Sequence, residues 1–248
     1  MRRRFFTTDA HGSYRALKQC LDKVNFDYDN DLLIYGGDIV DGWSETKESI
    51  DLLMSIKNLQ LLMGNHDDWF IRYYEEKLEF NELSCWLMHG GEEALMSYPN
   101  KIIPKEHYDF MKNNAKGYYL TDDNKLFVHA GIVEDLSLEH HTLDNFIWNM
   151  SFPKYCKQIN RAIRGFDEIY IGHTPTSNII KGTYEPVNLH NVWAIDTAAA
   201  FEGYLTIIDI DTKDYWQSDL VRILYADERG RNQLSWNERE AYKKRGLL

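Results

Sequence analysis

Five short segments of the sequence combine side chains that can bind metal ions with small residues that let backbones approach closely. They are Asp9-Ala10-His11-Gly12, Gly37-Asp38-Ile39-Val40-Asp41, Gly64-Asn65-His66-Asp67, Val128-His129-Ala130-Gly131 and Gly172-His173-Thr174-Pro175. Imidazole, carboxylate and amide-oxygen donors in one set suit Mn, Fe, Zn or Ni rather than a thiolate-seeking metal or calcium. Any single segment has a plain reading as a turn, because Asp, Asn and Gly are turn formers. Four of the five directly follow apolar, β-like runs. That repetition argues for a shared centre.

Such a centre needs elements that deliver the segments to one place. Arg4 to Thr8 reads as a strand, and Ser13 as the cap of a helix with Leu17, Cys20, Leu21 and Val24 on one face. Leu32 to Tyr35 is a second strand, residues 45–58 a second helix and Leu59 to Met63 a third strand. This β-α-β-α-β order predicts a parallel sheet, whose loops at the carboxyl ends of the strands meet in a crevice. Residues 68–117 read as a helical insertion over the sheet. Asp122-Asp123-Asn124 reads as a hairpin turn between Tyr118 to Thr121 and Leu126 to His129. Ile169 to Ile171, Val192 to Ile195 and Tyr204 to Ile210 complete the strands, and the tail from Asn232 reads as a surface helix. A single domain over residues 1–248 is expected.

Composition narrows the function classes. At 44% apolar and 14% aromatic the chain can bury a sizeable core. A formal net charge of −11 argues against general nucleic-acid or membrane-surface binding. Cys20, Cys85 and Cys156 are far apart and form no CxxC pair, which suits a reducing compartment. With no signal-peptide-like or membrane-spanning apolar run, a cytoplasmic location is expected. His107, His140 and His141 lie in polar stretches and read as surface residues, as does Lys243-Lys244-Arg245. Trp69, Phe70, Tyr73 and Tyr74 have helical spacing and read as core or lid.

Taken with Trp86-Leu87-Met88-His89-Gly90-Gly91, Phe127-Val128-His129-Ala130-Gly131-Ile132 and Ile195-Asp196-Thr197, the five segments resemble the motif series of the calcineurin-like metallophosphoesterases. Within that family they are most similar to the bacterial and phage Ser/Thr protein phosphatase branch. The resemblance runs from Phe5 to about Ile210. It implies an α/β fold of two mixed β-sheets packed as a sandwich and flanked by helices. It also implies two divalent metal ions, with manganese the first choice and iron, zinc or nickel the alternatives. Asp9 and His11 would hold the first ion, Asp38 would bridge both, and Asn65, His129 and His173 would complete the second site. His66 would protonate the leaving oxygen, with Asp41 holding its ring and favouring its protonated form. The chemistry is coherent. A carboxylate can bridge two cations about 3.5–4 Å apart, and water shared between them ionises near neutral pH and attacks phosphorus in line.

The sequence departs from that branch where arginines usually grip phosphate oxygens. Gly42, Met63 and Met150 stand at those positions, with Arg15, Lys47, Arg72, Arg161 and Arg164 as candidate replacements, and His89 replaces an Asn. His89 reads as a polar wall residue. The expected function is hydrolysis of phosphate esters, on a phosphorylated protein or a small phosphoester. The lost arginines favour an alternative, a phosphodiesterase or dinucleoside-polyphosphate hydrolase. A phospho-ligand-binding protein with weak catalysis is an alternative of another class. Oligomeric state is left open.

Overall fold

The central strands are buried at nearly every position, on both faces, while the short edge strands are partly exposed. A computed structural model describes residues 2–232, and the readings for the tail beyond Asn232, including Lys243 to Arg245, lie outside them. The first half runs β1 (Arg4–Thr7), α1 (Tyr14–Lys23), β2 (Leu32–Tyr35), α2 (Thr46–Met54) and β3 (Leu59–Leu61). Four helices follow: α3 (Asn65–Tyr74), α4 (Phe80–Trp86), α5 (Glu92–Met96) and α6 (Lys105–Asn114). The second half is β4 (Tyr118–Leu120), β5 (Lys125–Val128), α7 (Leu143–Ile147), α8 (Phe152–Ile159), β6 (Glu168–Ile171), α9 (Thr176–Ile179), β7 (Val187–Leu189), β8 (Val192–Ala194), β9 (Thr206–Asp209), β10 (Tyr215–Gln217) and α10 (Val221–Leu224).

The strands form two five-stranded sheets, ordered β10-β9-β1-β2-β3 and β4-β5-β6-β8-β7. Both are mixed: β1-β2-β3 and β5-β6-β8 are parallel, and the flanking pairs are antiparallel. Phe6, Ile34, Phe127, Tyr170 and Ile208 fill the layer between the sheets. Phe127 stacks on Tyr170 at 4.7 Å between ring centroids, and Phe6 meets Phe127 at 5.4 Å. Their sequence neighbours Phe5, Leu33, Leu126, Ile169 and Ile207 face the opposite way, into the core under the helices. This period of two makes a sandwich with helices outside, as the resemblance implies.

Several local readings shift. Ser13 does not cap α1, because its hydroxyl turns back to the Ala10 carbonyl at 2.5 Å. The second helix stops at Met54, where the Ser55 hydroxyl donates to the Leu52 carbonyl and the chain leaves helical pairing. Residues 68–117 are mostly helical as expected, but α3 begins at Asn65, so a motif segment forms its first turn. His107 is buried rather than on the surface: α6 packs it between the Tyr98 hydroxyl and Asp51, each at 2.9 Å. Among the described residues no helix is long and apolar enough to cross a membrane.

Candidate active site

The loops that leave β1, β2, β3, β5 and β6 converge, and they do so through unusual backbone. Asp9, His11, Asp38, Asp41 and His173 all adopt positive φ, between 48° and 73°. Such conformations cost a non-glycine residue about 1–3 kcal/mol each and cluster where surrounding structure enforces a function. The neighbouring glycines permit the approach. A Cβ at Gly64 would lie 2.1 Å from Asp38 Oδ1, and one at Gly172 would lie 2.1 Å from Asp9 Oδ2. Asp67 then clamps two loops at once, its carboxylate accepting the backbone N–H groups of Asp38 (2.7 Å), Ile39 (3.0 Å) and Gly64 (3.0 Å).

All six candidate metal ligands come together. His129 Nδ1 donates to the Gly36 carbonyl at 2.8 Å. Its Nε2 therefore faces Asn65 Oδ1 (3.1 Å), His173 Nδ1 (3.1 Å) and Asp38 Oδ2 (3.4 Å). On the other side of Asp38, His11 Nδ1 meets the Val40 carbonyl at 3.1 Å, so its Nε2 points to Asp38 Oδ2 (3.4 Å) and Asp9 Oδ1 (3.9 Å). Two triads have donor atoms within 4.8 Å of one another, His11–Asp38–His66 and Asp38–His129–His173. Asp38 is common to both, which suits a bridging carboxylate.

The electrostatics call for cations. Asp9, Asp38, Asp41, Asp67 and Asp196 are all at most 4% exposed. Burial raises Asp9 and Asp67 to about 7, and it drives Asp41 and Asp196 well above the carboxylate range. Burial opposes protonation of His129, yet the Asp38 carboxylate outweighs it and lifts the imidazole to about 10. A proton on His129 thus answers a demand for positive charge at that spot. His173 Nε2 is buried with no partner. Hard carboxylate oxygens beside imidazole nitrogens, at the largely buried base of a cleft and short of positive charge, fit divalent metals of the Mn, Fe, Zn type.

His66 and Asp41 also meet as expected, with Nδ1 to Oδ2 at 2.6 Å, and neither is more than 1% exposed. Burial pushes His66 down and Asp41 up, which runs against the expectation that Asp41 favours a protonated His66. Trp86 donates its indole N–H to the same Asp41 oxygen at 2.8 Å. This explains the segment Trp86 to Gly91. Trp86 braces Asp41, a kink at His89 and Gly90 turns the chain, and the Gly90 carbonyl accepts the Gly42 N–H at 3.1 Å.

The mouth is a cleft of about 380 Å³ lined by Asp9, His11, Asn65, His66 and His173 together with Trp69, His89, Trp148, Phe201 and Arg231. His89 is a wall residue whose Nδ1 is tied to the Cys85 carbonyl at 2.7 Å. Trp69 was expected as core or lid, and it does wall the cleft, edge-on to Trp148 at 5.1 Å. The three arginine-replacing positions separate. Met63 is buried in the core, Met150 is at the cleft mouth with 68% exposure, and the space beside Gly42 is filled by Arg231, whose Cγ would lie 3.0 Å from a Cβ there. None of the five candidate replacement cations lines the cleft; Arg15, Lys47, Arg72, Arg161 and Arg164 all pair with carboxylates elsewhere. Arg231 lies in a polar stretch without periodicity and nothing local marks it, whereas Asp67 and Asp196 sit inside the motif segments without being among the expected ligands.

Residues 3–177 match the family model described as calcineurin-like phosphoesterase. Over 171 residues the chain is 39% identical to a symmetrical bis(5'-nucleosyl)-tetraphosphatase of Mannheimia succiniciproducens, covering 67% of this chain and 54% of that protein. The chain spans about half the length of the tetraphosphatases it matches. It is 24% identical over 210 residues to serine/threonine-protein phosphatase 1 of Salmonella typhimurium, covering 82% of this chain and 89% of that one. Among solved structures, a metallophosphoesterase from Sphaerobacter thermophilus aligns with a TM-score of 0.56 at 15% identity, over 100% of this chain and 95% of that chain.

Proposed function

We propose that this chain, which belongs to the calcineurin-like phosphoesterase family, hydrolyses phosphate esters at a centre of two divalent metal ions held by Asp9, His11, Asp38, Asn65, His129 and His173. The observation that carries the reading is the shared Asp38, which stands in both clusters of donor atoms at the buried base of the cleft. Bound there, the ions would supply Lewis acidity toward phosphoryl oxygens and lower the pKa of water. The protein's own residues do the rest. Backbone carbonyls of Val40 and Gly36 hold Nδ1 of His11 and His129, so that each Nε2 lone pair faces the ions. Asp41, braced by Trp86, holds His66 through Nδ1 and leaves Nε2–H to protonate the departing oxygen. The chain works as one catalytic unit, residues 68–117 lying over the sheet and supplying the Trp86 brace.

A second reading concerns the substrate. Aromatic walls at Trp69, Trp148 and Phe201 suit a flat leaving group such as a nucleoside, which favours a dinucleoside polyphosphate over a phosphoprotein. Manganese-loaded protein assayed on p-nitrophenyl phosphate, its bis ester, a phosphopeptide and diadenosine tetraphosphate tests both readings. Activity on at least one substrate that disappears with chelator is expected, with highest kcat/KM on the dinucleotide. Inactivity on all four would overturn the phosphoesterase reading, and a clear preference for phosphopeptide would overturn the nucleotide reading.

A further inference from the structure

The segment after α10 is bolted across the mouth of the cleft. Tyr225 stacks on Trp43 with ring centroids 5.1 Å apart, and its hydroxyl donates to Glu45. The Glu228 carboxylate accepts both the backbone N–H and the hydroxyl of Ser44, at 3.0 and 2.7 Å. Gly230 lies so close to the Trp43 ring that a Cβ there would come within 2.5 Å of it, and Arg231 N donates to the Ala200 carbonyl at 2.8 Å. These contacts hold the strap to the loop just after Asp41 and aim one side chain inward. Arg231 places Nη1 3.1 Å from His11 Nε2. Its Nε is sealed from solvent and has no hydrogen-bond partner.

A guanidinium in this position is under-used. Arg231 forms no ion pair with any carboxylate among the described residues, and it is the one Arg or Lys among the described residues that line the cleft. A neutral imidazole is a poor partner for a half-buried cation, and five donors arranged in a fork suit two oxygens of an anion. The side chain also fills the space beside Gly42, where φ of +91° and close packing disfavour any longer residue.

From this we propose that Arg231, carried in by the C-terminal strap, grips the non-bridging oxygens of the phosphoryl group undergoing transfer. The proposal rests on the phosphoesterase reading above. A dication and a guanidinium cannot share the His11 lone pair, so a metal held by His11 would free Arg231 Nη1 for the phosphoryl oxygens. Loss of its charge should therefore weaken anion binding without weakening metal binding.

The test compares wild type, Arg231→Gln and Arg231→Lys. Calorimetry reads Mn2+ stoichiometry and affinity, then the affinity of the Mn-loaded protein for inorganic phosphate, and kinetics with p-nitrophenyl phosphate follow. Arg231→Gln should bind two Mn2+ at least as tightly as wild type yet bind phosphate about 10–100-fold more weakly, the scale of a hydrogen bond to a charged group. Its kcat/KM should fall in parallel, and Arg231→Lys should recover part of both. Phosphate affinity within twofold of wild type would overturn the proposal, showing a guanidinium that merely fills the metal-free cleft. So would loss of Mn2+ binding in Arg231→Gln, which would make Arg231 a support for His11. A wild type that binds Mn2+ but hydrolyses nothing overturns the phosphoesterase reading, and this proposal with it. An active wild type with an indifferent variant overturns this proposal alone.

Discussion

The base of the cleft and its mouth are built by different rules. At the base, Asp9, His11, Asp38, Asp41, His66 and His129 are at most 2% exposed, and each is pinned by a backbone or side-chain hydrogen bond. At the mouth, Trp148 is 38% and Met150 68% exposed, His89 is held to its own helical turn, and Arg231 arrives on a strap from the far end of the described chain. The base leaves little freedom for donor atoms that must bind metal at fixed separations. The mouth can vary without disturbing those atoms, which is where discrimination between substrates belongs. Changes at the base should therefore abolish the chemistry, and changes at the mouth should retune it.

Asp38→Asn should have the largest effect, because it removes charge from the carboxylate common to both clusters. Metal affinity should fall by more than the roughly 10–100-fold seen when only an outer partner of a ligand is lost, and activity should fall with it. Thermal melts give an independent readout. A metal at 100 times its Kd stabilises a folded protein by about 2.7 kcal/mol, so Mn2+ should raise the Tm of wild type and scarcely move that of the variant. An equal rise in both would remove Asp38 from the centre. A smaller but still large loss is expected for His66→Asn, which leaves the six proposed ligands in place. General-acid loss costs on the order of 10²–10⁴-fold, and the deficit should shrink as the leaving group becomes more acidic. Equal deficits for an alkyl and a nitrophenyl ester would reassign His66 to metal binding, a role its place in the His11–Asp38–His66 triad also permits.

This contrast also explains which parts of the molecule are legible in its sequence. The base was legible because its geometry restricts residue choice. Positive φ at Asp9 and Asp38, with carboxylate oxygens only 2.1 Å from where Cβ atoms of Gly172 and Gly64 would stand, leaves few acceptable residues at those positions. Restricted choice within a few consecutive residues is what a motif is. The sandwich was legible for a related reason, since alternation such as Phe5/Phe6 and Leu33/Ile34 sorts side chains into two layers. Arg231 acts across 220 residues of sequence, and no local pattern ties it to His11. The short edge strands β7 and β10 are three residues each and lack a continuous apolar face, so nothing marked them in advance. His107 looked solvated because its neighbours in sequence are polar, whereas its burial comes from α2 and Tyr98.

The smallest expected effect lies at the outermost wall and separates shape recognition from chemistry. The Trp148 ring stands edge-on to Trp69 at 5.1 Å and 6.3 Å from the His173 ring, centroid to centroid, and it is 38% exposed, so it overlooks the centre from the cleft mouth. Aromatic contacts of this kind contribute about 0.5–1.5 kcal/mol beyond area burial, which corresponds to roughly 2- to 12-fold in affinity. Trp148→Ala should therefore raise KM for diadenosine tetraphosphate by about that factor while leaving kcat and Mn2+ stoichiometry in place. For a small alkyl phosphate, which offers no ring to stack, KM should stay near that of wild type. The informative quantity is the ratio of the two kcat/KM values in each protein. A ratio that falls in the variant ties the aromatic wall to a flat leaving group. An unchanged ratio would mean that the wall only shields the centre from water, and a drop in kcat for both substrates would mean that Trp148 supports His173, bringing the mouth under the same constraint as the base.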